Sequence, residues 1–479
     1  MGLRVGETKA TGDFEDHDPC AIKKPADEGA VSILDTEQGH SKVYIKWYGC
    51  SHNRSDAEYI AGSLREKGFI ITDLEEEAII SVCVSCTVVD VSESKAYKMV
   101  RTAINDGRFA ILCGCIPASY KGKLPEEFVP LHASGLLCLV GTDALNSVAE
   151  FAMEYITKSG LVDLTTKEFV RRSKLIPLSA PKARFNQHIE IIPIESGCLH
   201  ACSYCKTKAA RGSLRSYPIQ EIRDRIASLP EEVYEIWFTG EDTGAWGRDI
   251  GLRMIDLIRG VVDVLKKNTK IRIGMTNPPY FIDCLEEWKE IFTHPKVFAF
   301  AHIPVQSCSN AVLAAMRRDY TAEDFKTIID YFQREIPGML LSTDIIVAYP
   351  GETLEDHKAT CDMIKDINIA CVNITKFYAR PGTAAYGLPE IHSSIAKTRT
   401  RELTKLTRHI DVNTHLLNTE QEVLIVEVGS KGYVCGRNKN YVHVLVKGDE
   451  SLIGKTVRGT VTETNRQWVK CETFRIVNE

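Results

Sequence analysis

Hydrophobic residues recur along the chain with two different periods, and beyond the first 40 residues the two periods alternate. Short apolar runs such as KVYIKWY, AIISVCV, RFAILC and LLCLV are typical of buried strands. The segment NRSDAEYIAGSLREKG instead places Ile60, Ala61 and Leu64 on one face of a helix. Residues 41–160 therefore predict strands that alternate with helices, the pattern of a parallel sheet flanked by helices.

A second series of strands and helices follows a polar connector at residues 161–187. Residues 188–415 contain six strand-like runs, HIEIIPI, YEIWF, IRIGM, VFAFAHIPV, LLSTDIIVAY and VNITKFYA. Helical stretches such as AEDFKTIIDYFQRE separate them. Six such units predict an open or partial (β/α)6 barrel, because a closed barrel of this kind needs eight.

The two ends of the chain follow neither pattern. Residues 416–479 carry alternating β segments with glycine-rich turns, which predict a small all-β barrel. Residues 1–40 lack hydrophobic periodicity and hold four Lys/Arg against nine Asp/Glu, which predicts a disordered acidic tail. The predicted fold class is therefore α/β, with a parallel α/β domain, a partial barrel and a small all-β barrel in that order.

Composition narrows the class of protein. A chain of 479 residues suggests about three domains, and 44% hydrophobic with 26% charged residues is ordinary for a globular protein. No apolar run approaches the roughly 20 residues of a transmembrane helix, and the acidic start is unlike a secretory signal. We therefore expect a cytoplasmic protein without a membrane span. The net charge of −5 lies in the tail, and the neutral remainder does not exclude nucleic acid as a ligand.

The sharpest chemical signal is the segment GCLHACSYCKTKAARG, just beyond the first strand of the second domain. Its cysteines Cys198, Cys202 and Cys205 have the spacing CxxxCxxC. Three thiolates can ligate three irons of a [4Fe–4S] cluster and leave the fourth iron without a protein ligand. The alternatives are a zinc site, with His200 or a distant thiolate as fourth ligand, and a purely structural group of cysteines.

Three separated cysteines form a second candidate site. Cys50, Cys86 and Cys115 each follow a predicted strand of the first domain. The carboxyl ends of parallel strands share one edge of a sheet, where ligands bind, so these thiols can converge and hold a second cluster. The alternative is that they are small buried hydrophobic residues, as we interpret Cys83 and Cys113 inside the strands.

The motifs resemble those of a known family. The three-cysteine loop, with Tyr204 before Cys205, is similar to that of the radical S-adenosylmethionine (SAM) superfamily. The segments YGCSHNRSDAEYIAG, VSCTVVDVSES and CGCIP resemble the cysteine motifs of the methylthiotransferase amino-terminal domain, and the last 60 residues resemble a TRAM barrel. The segments GCSHNRSDAEY, CKTKAARG and GEDTGAWGRDIG look like the archaeal and eukaryotic branch, the threonylcarbamoyladenosine tRNA methylthiotransferases.

The resemblance implies two [4Fe–4S] clusters and SAM as cofactors. In that family SAM chelates the open iron of the cluster at Cys198, Cys202 and Cys205 and yields a 5′-deoxyadenosyl radical. A second SAM methylates a sulfur at the other cluster, and carbon 2 of an adenine beside the anticodon receives the methylthio group. The implied partners are tRNA, contacted at its anticodon loop, an electron donor protein and a sulfur source.

The resemblance also suggests cofactor-binding residues at the carboxyl ends of the central strands. The candidates for contact with SAM or substrate are Gly240, Glu241, His302, Gln306, Asp344 and Arg380. Each has an ordinary alternative as a loop carboxylate, a hydrogen-bonded core group or a surface arginine.

Basic residues in two regions are candidates for RNA contact. The first group lies beside the three-cysteine loop, and the second lies in the last barrel, where charge mixes with aromatic residues. These candidates are Lys206, Lys208, Arg211, Arg215, Arg437, Lys439 and Arg466. The alternative for the barrel is a solvated β surface over an ordinary aromatic core.

Two positions depart from the family pattern. Val84 stands where relatives usually have Asn, and Cys308 stands where Gly is usual. We expect Val84 to alter packing beside the second cluster. Cys308 adds a thiol near the predicted SAM pocket and is expected to make that site more sensitive to oxidation.

Other functions are compatible with the same motifs. One is methylthiolation of isopentenyladenosine or of a ribosomal protein side chain. Another is an iron–sulfur or zinc protein that binds RNA without catalysis, which predicts bound tRNA but no SAM cleavage.

Overall fold

The computed structural model describes residues 41–88, 90–120, 126–133, 135–157, 175–369, 371–408, 410, 412–430 and 432–477. The predicted acidic tail and most of the predicted connector lie outside these residues. The described chain forms three units in the predicted order, so the α/β fold class is confirmed. Among the described residues, no helix combines the length and the apolar character that crossing a lipid bilayer would need.

The amino-terminal unit is a five-stranded parallel sheet in the order β2-β1-β3-β4-β5. Its strands are β1 (Lys42–Trp47), β2 (Ile70–Thr72), β3 (Ile80–Ser85), β4 (Phe109–Gly114) and β5 (Leu137–Gly141). Its helices are α1 (Ser51–Glu66), α2 (Asp90–Asn105), α3 (Cys115–Ser119), α4 (Val129–Ala133) and α5 (Val148–Thr157). Apolar clusters cover both faces, which is why β3 and β4 are buried at every residue. The short edge strand β2 was not predicted, because three residues carry too little periodicity.

The central unit contains the six predicted long strands and a small two-stranded ribbon. Its strands are β6 (Ile189–Pro193), β7 (Glu195–Ser196), β8 (Arg215–Ser216), β9 (Glu235–Thr239), β10 (Lys270–Ile273), β11 (Phe300–His302), β12 (Leu340–Val347) and β13 (Cys371–Lys376). Strands β6, β9 and β10 form one parallel half and β11, β12 and β13 the other. Isolated parallel bridges join β10 to β11 and complete the partial barrel.

Helices alternate with these strands and cover one large apolar core. They are α6 (Thr207–Arg211), α7 (Ile219–Ala227), α8 (Met254–Val261), α9 (Pro279–Ile282), α10 (Leu285–Thr293), α11 (Asn310–Ala315), α12 (Ala322–Glu335), α13 (Leu354–Ile367) and α14 (Ser393–Arg408). Thr321 and Thr353 begin α12 and α13 with capping boxes, because each hydroxyl accepts the amide hydrogen of an Asp three residues later.

The carboxyl-terminal unit is a closed five-stranded barrel in the order β14-β15-β16-β18-β17. Its strands are β14 (Glu420–Val428), β15 (Tyr433–Arg437), β16 (His443–Lys447), β17 (Thr456–Thr464) and β18 (Trp468–Ile476). Alternate residues point inward and fill the barrel with Val and Ile side chains.

Candidate functional site

The three amino-terminal cysteines stand at the carboxyl ends of three neighbouring strands. Cys50 follows β1 and begins α1, Cys86 follows β3, and Cys115 follows β4 and begins α3. The strands β1, β3 and β4 are adjacent in the sheet, so the topology places the three residues together as predicted. We refer to them as the amino-terminal triad.

Asn53 organises this triad from the first turn of α1. Its Oδ1 accepts from the Cys50 thiol at 3.6 Å and from the Cys115 thiol at 3.9 Å, so the two sulfurs are no farther apart than the sum of these distances. Its Nδ2 donates to the carbonyls of Tyr48 at 2.9 Å and Ser85 at 3.0 Å. The fully buried Asn53 therefore ties the ends of β1 and β3 to the thiols.

Gly49 allows Cys86 to approach Cys50. Gly49 has φ = +99°, and a Cβ at this position would lie 2.6 Å from the Cys86 Sγ atom. The amide of Val88 donates to the same Sγ at 3.3 Å. Only glycine combines this backbone conformation with the space that the sulfur occupies.

The second triad, Cys198, Cys202 and Cys205, lies in the excursion between β7 and β8, which pair with each other at its base. The amide of Cys198 donates to Gly212 O at 3.2 Å. The Cys205 sulfur accepts from Thr207 N at 3.4 Å and lies 3.1 Å from Thr207 Oγ1. We refer to these cysteines as the loop triad.

Burial raises the pKa of four thiols in the two triads, those of Cys50, Cys115, Cys198 and Cys202. Burial, followed by nearby negative charges, raises the pKa of Cys198, and burial raises that of Cys115 although Arg211 opposes it. Such thiols stay protonated unless a metal replaces the proton. Two sets of three thiols, each with a backbone amide directed at one sulfur, fit [4Fe–4S] clusters with one open iron.

The alternative of a zinc site needs four donors arranged as a tetrahedron around one ion. Within the described ranges, no group of three or more His, Cys, Asp or Glu side chains is placed to hold one metal ion. His200, the candidate fourth ligand, lies 3.0 Å from the Tyr280 hydroxyl and 3.4 Å from Asp242 Oδ2.

Arg211 connects the two triads across the domain interface. This side chain is 4% exposed, and its NH2 donates to Asn53 Oδ1 at 3.1 Å and to Asp56 Oδ2 at 2.6 Å. Its Nε lies 3.0 Å from Glu241 Oε1. A phosphate contact was predicted for Arg211, and the structure corrects this. The guanidinium is buried and contacts Asn53, Asp56 and Glu241 of the protein itself.

Glu241 receives groups from both domains. Its Oε1 lies 2.9 Å from His52 Nδ1, and its Oε2 accepts from the amide of Gly197, next to the loop triad, at 2.8 Å. Burial alone would raise the pKa of Glu241, but His52 and Arg211 hold it below its ordinary value. Both oxygens of this candidate SAM ligand are thus engaged by protein groups.

Gly240 is required by a buried acid that the sequence did not single out. A Cβ on Gly240 would lie 2.5 Å from Glu195 Cγ and Oε1. Glu195 accepts from the amide of Asp242 at 2.8 Å, and burial, then the charges of Asp242 and Glu241, raises its pKa well above the usual value. Burial thus favours the protonated form of Glu195, and its contact with the Asp242 amide supports the loop of the predicted SAM motif.

A second unpredicted network lies beneath the loop triad. Asp242 accepts from the side-chain amide of Asn277 at 2.7 Å, and Asn277 Oδ1 accepts from Arg318 at 3.0 Å. The Arg318 guanidinium lies 5.9 Å from the ring centroid of Tyr204, the residue before Cys205. The cluster MRRDY, which contains Arg318, was its only sequence signal.

Three of the predicted cofactor residues come together: His302 at the end of β11, Gln306 in the segment after it, and Asp344 in β12. His302 Nε2 lies 2.9 Å from Asp344 Oδ1, and the amide of Gln306 donates to Asp344 O at 2.8 Å. Burial raises the pKa of Asp344, but the nearby His302 lowers it by more, so the pKa of Asp344 lies below its ordinary value. Arg380 lies elsewhere, where it donates to the carbonyl of Val88 near the amino-terminal triad.

Four further candidates for RNA contact occupy different environments. Lys206 is buried with its Nζ 3.1 Å from the ring centroid of Tyr120, and burial lowers its pKa to about 8. Lys208 is exposed. Arg215 lies 2.9 Å from Asp143 Oδ1, and the half-buried Arg466 donates to Thr407 O at 3.4 Å. Because Lys206 is buried against the Tyr120 ring, its ammonium group is not available to a phosphate at the surface.

Arg437 and Lys439 hold the last barrel against the central unit. Arg437 is 5% exposed and donates to Glu235 Oε1 at 3.0 Å. Lys439 donates to His294 O at 2.6 Å. This placement corrects the predicted RNA role of both residues, because each cation is bound within an internal contact.

Val84 and Cys308, the two residues that depart from the family pattern, are both buried in the core. Val84 is fully buried in β3. Cys308 is 6% exposed within the central apolar core, and burial raises its pKa. Burial and the raised pKa both argue against the expected sensitivity of Cys308 to oxidation, since oxidation follows thiolate character and exposure.

Comparison with known proteins agrees with this architecture. Family models match at residues 42–133 (Uncharacterized protein family UPF0004), 192–364 (Radical SAM superfamily) and 416–472 (TRAM domain). The solved structure of the radical S-adenosylmethionine methyltransferase TsrM from Kitasatospora setae matches with a TM-score of 0.51 and 13% identity, over 72% of this chain and 77% of that one. Fold and cysteine loop together define a radical SAM protein, a class that uses SAM and a [4Fe–4S] cluster.

Similarity to curated proteins identifies the family to which the chain belongs. The chain is 39% identical to the threonylcarbamoyladenosine tRNA methylthiotransferase of Xenopus laevis over 91% of this chain and 77% of that protein. The human protein of the same name is 39% identical over 91% and 74%. A probable threonylcarbamoyladenosine tRNA methylthiotransferase of Pyrococcus horikoshii is 34% identical over 85% and 93%. The chain belongs to the threonylcarbamoyladenosine tRNA methylthiotransferase family.

Proposed function

We propose that this protein converts threonylcarbamoyladenosine, next to the anticodon of tRNA, to its 2-methylthio derivative. The observation that carries the proposal is the buried Arg211 contact, which joins the surroundings of the two thiol triads across one domain interface. Insertion of sulfur at an aromatic C–H bond requires a sulfur donor and a radical generator at the same adenine. Two neighbouring triads supply a place for both.

The residues would hold two [4Fe–4S] clusters, the loop triad one and the amino-terminal triad the other. Together with SAM these groups supply radical formation and methylthio transfer, chemistry that no side chain provides. The protein orients them: Asn53 positions the amino-terminal sulfurs, and Glu195 and Asp242 support the predicted SAM loop. His302, Gln306 and Asp344 remain proposed contacts to SAM or substrate.

The same proposal assigns partners and compartment. RNA contact is proposed for Lys208, Arg215 and Arg466, which are exposed or half-buried. Turnover requires an electron donor protein, because the cleavage of SAM consumes an electron. It also requires a sulfur source, because each methylthio product removes one sulfur atom. We propose a cytoplasmic location, where the thiols stay reduced, and domains at residues 41–160, 188–415 and 416–479.

Anaerobic reconstitution tests the function. The full chain, loaded with iron and sulfide, is incubated with SAM, dithionite and tRNA that carries either threonylcarbamoyladenosine, isopentenyladenosine or unmodified adenosine. We expect 5′-deoxyadenosine and a 2-methylthio nucleoside only with the first tRNA. Product from the isopentenyladenosine tRNA alone would reassign the substrate. Tight tRNA binding without 5′-deoxyadenosine would favour a non-catalytic RNA-binding protein.

A further inference from the structure

Helix α14 carries a row of basic side chains that no other part of the described structure uses. Lys397, Arg401, Lys405 and Arg408 are all exposed and follow one another at intervals of four, four and three residues. Such intervals place them on one face of a helix. Within the described ranges, none of the four takes part in a hydrogen bond or ion pair. We refer to them as the α14 ridge.

The other face of α14 accounts for its attachment to the central unit. Ala396, Arg399, Leu403 and Thr407 are buried, and Arg399 NH1 donates to Glu352 Oε2 at 2.7 Å. The only acid of the helix, Glu402, lies on neither face and is 3.3 Å from His357 Nε2. The ridge is therefore not neutralised by its own helix, and its cations are not needed to hold the helix in place.

The helix runs between the two parts of the molecule for which RNA contact is proposed. In its first half, Arg399 contacts Glu352, which follows the carboxyl end of β12, and the loop triad also follows the carboxyl end of a central strand, β6. Near its end, Thr407 accepts a hydrogen bond from Arg466 of the last barrel. With 1.5 Å per residue, 16 residues span about 24 Å.

The last barrel contacts the opposite ends of the central strands. Arg437 pairs with Glu235, the first residue of β9, and the amide of Ala299, just before β11, donates to Lys439 O at 3.0 Å. One RNA molecule that touches both the barrel and the triads must therefore pass along the side of the central unit. The α14 ridge forms a path of this kind.

We propose that the α14 ridge is a phosphate-binding track that guides the tRNA stem from the last barrel to the triads. This inference rests on the proposed function. Four exposed cations, about one helical turn apart, match the regular negative charge of a nucleic-acid backbone. A membrane surface fits less well, because the apolar residues Ala396 and Leu403 are buried in the protein and cannot enter a bilayer.

The test compares two double variants of the full, cluster-loaded chain. Arg401→Gln/Lys405→Gln removes two ridge charges, and Lys358→Gln/Lys365→Gln removes two exposed lysines of the neighbouring helix α13. The dissociation constant for threonylcarbamoyladenosine tRNA is measured between 50 and 300 mM salt, about the range in which phosphate contacts respond. The ridge variant should bind roughly 10- to 30-fold more weakly near physiological salt, with a log–log slope smaller by about 1.5.

The control variant should keep the wild-type affinity and slope. Equal losses of tRNA affinity in both variants, or an unchanged affinity in the ridge variant, would overturn the proposed track. It would also be overturned if the ridge variant lost binding to phosphatidylserine vesicles but kept its affinity for tRNA. Iron content and thermal midpoint verify that each variant is folded. Failure of the proposed function is seen separately, as absence of methylthio product from the wild-type chain at saturating tRNA.

Discussion

Arg211 and Asn53 come from different domains and share a hydrogen bond of 3.1 Å in which the guanidinium donates to the amide oxygen. The same oxygen accepts from the thiols of Cys50 and Cys115. The arginine lies six residues after Cys205, at the end of α6. The segment that follows the loop triad is thus tied by one side chain to the residue that contacts two thiols of the amino-terminal triad.

Replacement of Arg211 by Met should uncouple SAM cleavage from methylthio transfer. It leaves the buried acids Asp56 and Glu241 without their cation, which costs about 3–5 kcal/mol for a buried pair. We expect a lower unfolding midpoint and a larger ratio of 5′-deoxyadenosine to methylthio product. The control Arg223→Met breaks a solvent-screened pair with Asp263 and should leave the unfolding midpoint close to the wild-type value. An unchanged product ratio in Arg211→Met would contradict the coupling role.

Gly240→Ala should disturb the predicted SAM loop. The new Cβ must displace Glu195, which would lie 2.5 Å away. We expect a weaker affinity for SAM, measured by calorimetry. The matched variant Glu195→Gln preserves the shape of a neutral acid and should bind SAM nearly as wild type, because burial raises the pKa of Glu195 and favours its protonated form. A large loss of affinity in Glu195→Gln would show that the acid must ionise.

Part of this site could be predicted from the sequence and part could not. The ends of predicted parallel strands locate Cys50, Cys86 and Cys115, and the spacing CxxxCxxC identifies the three cysteines of the loop triad. The burial of Arg211, Arg437 and Lys439 could not be predicted, since a sequence displays charge and only the folded interface decides which cations meet an acid or carbonyl. Helix α14 was missed because most of its residues are polar and its apolar face is narrow.

Lys182 is predicted to stabilise the contact between the first two units. Its ammonium lies 3.4 Å from Glu58 Oε2 and 3.2 Å from Glu190 Oε1, and all three side chains are fully buried. Lys182→Met should destabilise the protein by about 3–5 kcal/mol. Lys42→Met removes the exposed pair with Glu77 and should leave the unfolding midpoint close to the wild-type value. Equal unfolding midpoints for the two variants would refute this assignment.

Acid should weaken the same contact. Burial raises the pKa of Glu190, but Lys182 and Arg225 lower it more, so the folded value lies below the ordinary one. Ionised Glu190 therefore stabilises the fold above its unfolded pKa of about 4.3, and this contribution is lost as the pH falls through the folded value. Unfolding midpoints measured from pH 7 to pH 3 should fall less steeply in Glu190→Gln than in wild type.

The central claim is that two triads serve different steps at one adenine. The most direct measurement is the yield of 5′-deoxyadenosine and of methylthio nucleoside from reconstituted Cys86→Ala and Cys202→Ala chains with threonylcarbamoyladenosine tRNA. Cys86→Ala should retain 5′-deoxyadenosine release and form no methylthio product, whereas Cys202→Ala should form neither. Methylthio product at the wild-type level from Cys86→Ala would contradict the account.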